Sequence, residues 1–431
     1  MFRGPSAAVG INRRGSCPAL CGPRGPGASV ASCALVSGED GAGADFTHLV
    51  RLCQRYGISS PTEGSRHFTY DFGTFRLKWE RHGEFCTYTF FCQNLSEQPF
   101  AIPAILTVPR EWLDALPGKR LVAVHLAVDP RNRPPPSAVD LATIFKSDTV
   151  SGSRVFGGAA LTWTDFAVHE DGFGRILVRD ISLDHFEVGR LVQRLLEIET
   201  YRMMALVALP LVREHDPQIS AIEEETAKIA RSLSKIAGLE DTRPLLARLS
   251  RLSADVEGII ARLSYRFDAT RAYFALVRRR VERLREERLE RLQTIEEFME
   301  RRLAPAMKTC ETAARRLESS SRRLARASDL LRTQVDVALQ EQNRDLLLSM
   351  DRRARLQSRL QRILEVISIV ALTYYLAVLL ATVLTAMKTA GVPLNVELIT
   401  GAAIPFLFGI IWLGVRWTRK TVVRRHEKDL H

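Results

Sequence analysis

The sequence predicts an α+β fold carried on a membrane anchor: an α+β cytoplasmic head, a long antiparallel helical or coiled-coil stalk, and two C-terminal transmembrane helices. Three observations carry that prediction. Apolar and polar residues alternate, as in strands, through several stretches of the first half. Apolar residues at spacings of three and four then dominate from about residue 219 to 284. Two uncharged apolar runs lie near the C-terminus, each long enough for a membrane span.

The chain has 431 residues, 46% hydrophobic and 26% charged. That leaves room for two or three domains and a real core. The formal net charge of +12 suits nucleic acid or an anionic membrane surface. Seven cysteines, odd in number and scattered, argue against a disulfide framework and for a reducing compartment. Cys17 and Cys21 have no histidine nearby, which makes zinc a poor reading of the pair.

Residues 1–45 are rich in Gly, Pro, Ala and Ser. They contain no apolar run of signal-peptide length. Disorder or a misassigned start is the expectation for them.

Residues 46–210 form the expected head. Phe75, Leu77 and Trp79 alternate with polar residues, and Phe85, Thr87, Thr89 and Phe91 do so after Arg81-His82-Gly83-Glu84. This reads as a hairpin. "KRLVAVHLAVDP" is a further strand ended by Pro130, and "RNRPPPS" is a loop. "RVFGGAALTWTDFAVHEDGFGRILVRD" is a second hairpin that turns at His169-Glu170-Asp171-Gly172. Its "FGG" lacks a phosphate-loop lysine and reads as a bulge or a close strand approach. A helix over 183–209, stopped by Pro210, completes the head.

Residues 211–362 form the expected stalk. Asp216-Pro217 reads as a helix start and Gly238 as its end. Ile219, Ile222, Thr226 and Ile229 face Leu249, Leu252, Val256 and Ile259 in the predicted hairpin. The rhythm resumes at Phe267, Phe274, Val277, Val281 and Leu284, and Pro305 should break or kink the helix. A third helix from Met307 runs on into the first span. Gln342, Asn343, Gln357 and Gln361 fall near its seam, and polar seam residues fix register in oligomers, so a homo-oligomer is expected. Arginines crowd this surface, but acids are interspersed and aromatic residues are not. Nucleic acid is therefore not an expected partner.

The spans are 366–387 and 398–415. The first is 22 residues long, about 33 Å as a helix. Arg352 to Arg362 precede it, and the basic tail 416–431 follows the second. The connecting loop has one lysine and one glutamate. Both termini are therefore expected to be cytoplasmic, with the lipid bilayer as a partner and the basic flanks toward anionic lipid. Neither span contains a charged residue or a histidine, so an ion or proton relay through them has no support. Pro405 should kink the second.

No Walker loop, HExxH or GxSxG occurs. His82, Glu84, His169, Glu170 and Asp171 at the two turns could form a metal or acid–base site if the tips met. Polar residues and glycine are also what tight turns require, which is the plainer account. No catalytic, cofactor-binding or metal site is assigned, no cofactor is expected, and the chain is not expected to be an enzyme.

The stretches "FRLKWERHGEFCTYTFF", "GRLVQRLLEIETYRMMALVALP" and "LLRTQVDVALQEQNRDLLLSMDRRARLQ" resemble a proteobacterial family of predicted membrane-anchored proteins that share a domain of unknown function. The resemblance covers nearly all of 34–416, and residues 1–33 look unrelated to it. It implies an inner-membrane protein with no assigned activity. The layout alone is also similar to CorA-type magnesium transporters. Their Gly-Met-Asn signature is absent after the first span, where "AMKTAGVPLN" stands instead.

Overall fold

The computed structural model describes residues 29–37, 43–94, 98–147, 149–233, 239–289, 291–389 and 395–428. The first elements are β1 (Ser29–Ser37), α1 (Ala44–Arg55), β2 (His67–Asp71), β3 (Arg76–Arg81) and β4 (Cys86–Asn94). Next come α2 (Arg110–Asp114), β5 (Arg120–Asp129), α3 (Ala138–Phe145), β6 (Ser151–Val155), β7 (Ala160–Thr164), β8 (Gly174–Asp180) and α4 (His185–Leu206). The remainder is α5 (Ala208–Leu233), α6 (Leu239–Glu282), β9 (Glu287–Arg288), α7 (Ile295–Phe298), α8 (Ala304–Thr389) and α9 (Val396–Lys428). The α+β class is as predicted.

The strands form one nine-stranded sheet in the order β2-β3-β4-β1-β5-β8-β7-β6-β9. Within it β5 and β8 run parallel, and the other pairs named here are antiparallel. The period-two pattern divides its two faces. Val122, Val124, Leu126 and Val128 of β5 pack with α4. Leu77, Trp79, Tyr88 and Phe90 pack on the opposite side with Leu49 and Leu52 of α1 and Trp112 of α2. Asp184 caps α4 and forms a reciprocal capping box with Glu187.

Several expectations need correction. Disorder over 1–45 does not hold for Ser29–Ser37, which pairs with β4 on one side and β5 on the other. Its alternation is weak. It is a strand because the backbone groups of both neighbours need partners. The "FGG" segment is the β6–β7 hairpin turn, not a bulge: Phe156, Gly157 and Gly158 all have positive φ, and glycine adopts this at least cost.

Helix α4 ends at Leu206, one turn before Pro210, which has no amide to bond the Leu206 carbonyl, and Pro217 does not start a helix. Pro210 lies in the opening turn of α5, where an amide is not needed, and Pro217 lies inside it. Pro244 likewise lies inside α6, which begins at Leu239. Gly238 and residues 390–394 of the loop between the spans lie outside the described residues. Helix α6 ends at Glu282, and β9 follows as an edge strand on β6. Pro305 breaks nothing. A π-helical turn, Met299–Leu303, precedes it, with the Ala304 amide bonded to the Met299 carbonyl. The wider turn accommodates the proline ring, and the helix continues.

Two compact units are distinguished: Met1–Ile236 with Arg243–Asp329, and Ala237–Thr242 with Leu330–His431. The first contains more than the predicted head. Val277, Val281, Leu284, Met299, Leu303 and Met307 share one core with β5, β8 and α4. This shared core extends past residue 210, and within α8 the two units divide between Asp329 and Leu330. In this unit Arg316 of α8 bonds to Asp216, Ser220 and Glu223 of α5, and Ser321 bonds to Glu257 of α6. Ile219, Ile222, Thr226 and Ile229 are buried, as are Leu249, Val256, Ile259 and Leu263. In the second unit α8 is unbroken across 350–369, as expected, and α9 runs through Pro405. The two apolar windows are 11% and 6% buried.

Candidate functional site

The register brings both predicted turns to one end of the sheet. Cys86 of β4 is opposite Ser37 of β1, Ser37 is opposite Arg120 of β5, and Gly174 of β8 is opposite Val124. The turns at 82–85 and 169–172 thus emerge at the same end, separated by intervening strands about 4.8 Å apart.

Each turn has its own local chemistry. In the first, the His82 ring stacks on Phe85 at 4.4 Å, and burial pushes its pKa below the usual imidazole value. Glu84 points to the helices. One oxygen lies 2.5 Å from Arg266 Nη1, and the other accepts a 2.5 Å hydrogen bond from the Tyr273 hydroxyl. This carboxylate fastens the hairpin tip to α6.

In the second, the Gly172 amide donates to the His169 carbonyl at 2.8 Å, and Gly172 has φ 80°. These are the marks of a tight turn. His169 Nε2 lies 3.1 Å from Asp165 Oδ2, with both side chains almost fully covered. Asp171 accepts from the Phe173 amide and lies 3.7 Å from Arg175 Nη2. Glu170 projects outward, with its carboxylate 3.7 Å from Lys146.

One residue that the sequence reading passed over belongs to this second cluster. His125, on β5, stacks on Phe173 at 4.0 Å and has Nε2 3.9 Å from Asp171. Burial pushes its pKa down to about 4, partly opposed by Asp171. A lone histidine among apolar residues in "KRLVAVHLAVDP" was the available signal.

No hydrogen bond, ion pair or ring contact joins the two turns among the described residues, and no group of three or more potential metal ligands occurs among them. A further buried group lies near the first turn: Asp45 pairs with Arg81 and accepts from Cys86 Sγ at 2.5 Å. Burial, with Asp45 beside it, raises the Cys86 thiol to about 12, which suppresses the thiolate. Cys53, Cys86, Cys92 and Cys310 are not joined in disulfides.

A family model described as "Protein of unknown function (DUF3422)" matches residues 24–422. The chain belongs to the DUF3422 family. The match begins inside the region expected to be unrelated, so residues 24–33 belong to the family pattern as well. No curated protein and no solved structure matches this DUF3422 chain.

Proposed function

We propose that this DUF3422 chain is a membrane-anchored, non-enzymatic scaffold or sensor, oligomeric, on the cytoplasmic face of a bacterial inner membrane. The observation that carries the reading is the pair of C-terminal apolar helices, whose windows are 11% and 6% buried within the protein. Exposed apolar surface costs about 25 cal/mol per Å² in water, and hydrocarbon removes that cost. Arginines from 352 to 362 and again from 416 onward flank the outer ends of the two windows, and the nearly neutral connection lies between them. By the positive-inside rule both termini face the cytoplasm. The non-enzymatic part is supported by the head's titratable groups. Asp45, Glu84, Asp129 and Glu199 are each paired with an arginine. Extraction at alkaline pH in carbonate tests the anchor: the full chain should stay in the membrane pellet, and its release would overturn the reading.

A divergent CorA-like cation channel is the second reading. One observation favours it: α8 runs unbroken from the packed helices through the first apolar window. Divalent-cation flux in proteoliposomes would establish it, and protein-independent flux would remove it.

A further inference from the structure

The stretch of α8 from Leu339 to Ile367, within the second unit, has its side chains sorted by charge. With Asn343 at position a of a heptad, Met350, Gln357 and Leu364 also fall at a. Leu339, Leu346, Leu360 and Ile367 fall at d. The e and g positions over 340–367 are uncharged throughout, with Leu347 at e and Leu356 and Ile363 at g. Every charged residue of 340–367 except Arg353 sits at b, c or f. The uncharged face is nevertheless bare: Leu346, Met350, Leu360 and Leu364 are 56%, 66%, 61% and 62% exposed. Most of a helix's stability in water comes from packing such a face.

We propose that residues 339–367 form a parallel seam between copies of this chain. The face suits a second copy because it is self-complementary. Its a, d, e and g positions present one charge, so a charged partner surface would be left without counter-ions on it. Asn343 at an a position can pair with its own copy, amide to amide, as buried asparagines do in parallel coiled coils. Arg353, the exception, has a stem long enough to leave a d position with its head in water. The same helix continues into the apolar window, so copies anchored in one bilayer meet parallel, at one height and at raised effective concentration. The parallel alignment rests on the membrane-anchored reading, whereas the seam rests on the helix face alone.

The test places single added cysteines in the full chain in membranes and oxidises them with copper phenanthroline. The parent chain serves as background, since Cys53, Cys86 and Cys310 are buried. Leu346→Cys, Met350→Cys and Leu360→Cys should give disulfide dimers at least tenfold above the parent. Asp351→Cys, Arg355→Cys and Arg359→Cys, on the charged faces, should stay near it. Equal crosslinking at both sets, none at the seam set, or seam crosslinks only to a different protein would overturn the seam. Leu346→Asp combined with Leu360→Asp should lower the mass of the detergent-purified protein, and an unchanged mass would also count against the seam. Carbonate extraction of the same membranes separates the two readings: a released protein that still crosslinks at the seam set keeps the seam and loses the anchor.

Discussion

Glu84→Ala should loosen the packing of the first unit far more than its place in a surface turn suggests. The Glu84 side chain is 6% exposed and Arg266 is 16% exposed, with 2.5 Å between them. Removing the carboxylate takes this ion pair from a nearly buried guanidinium and the acceptor from the Tyr273 hydroxyl. Breaking a buried pair from one side costs about 3–5 kcal/mol, and the residual exposure of Arg266 favours the lower end. At about 1.4 kcal/mol per factor of ten, 3 kcal/mol raises the population of the opened unit roughly 100-fold. Cys86 and Cys310 are 7% and 2% exposed, so their labelling by a thiol reagent reports that opening. Peptide mass spectrometry should show both labelled on the order of 100-fold faster in Glu84→Ala than in the parent. Glu84→Gln, which keeps the shape and one hydrogen bond, should fall between the two. Labelling of Glu84→Ala at the parent rate would refute the view that this residue fastens the hairpin to α6.

Further expectations concern histidines, pH, topology and the junction. His169→Ala should leave metal content at the background level, measured by elemental analysis of the purified protein, and Asp165 keeps its hydrogen bond from the Ala167 amide in the variant. His125 is held neutral by burial, so its pKa in the fold, about 4, lies below the unfolded value near 6.5. Unfolding therefore takes up a proton between those values, and stability that is complete above pH 6.5 should fall by about 3 kcal/mol as pH drops to 4. His125→Phe should flatten that slope in denaturant titrations. Reporter fusions at the C-terminus and at Gly391 should give opposite signals, with the C-terminus cytoplasmic. Leu360→Pro should cost the helix about 3 kcal/mol or more and abolish crosslinking at Leu346→Cys, while the chain remains in the membrane pellet.

The sequence by itself determined what depends on near neighbours along the chain. The β3–β4 hairpin was legible because apolar residues alternate on either side of a polar turn. The continuity of α8 beyond Met307 and its uncharged window needed only 3.6-residue periodicity, length and the absence of a breaker there. The turn at His169–Gly172 followed from the residue types that such turns require. Tertiary structure decided the rest. Ser29–Ser37 has little strand pattern of its own and is a strand because β4 and β5 flank it. Glu84 reads locally as a turn residue, yet its partners Arg266 and Tyr273 lie 182 and 189 residues away. His125 acquires its environment only when β8 pairs beside β5 and brings Phe173 and Asp171 to it. Pro305 carries a breaker's chemistry, but a π-turn that no local pattern announces absorbs it. The physical reason is the range of the forces. Periodicity and turn preference act within one or two helical turns, whereas burial, ion pairing and strand partnership depend on segments that only the folded chain brings together.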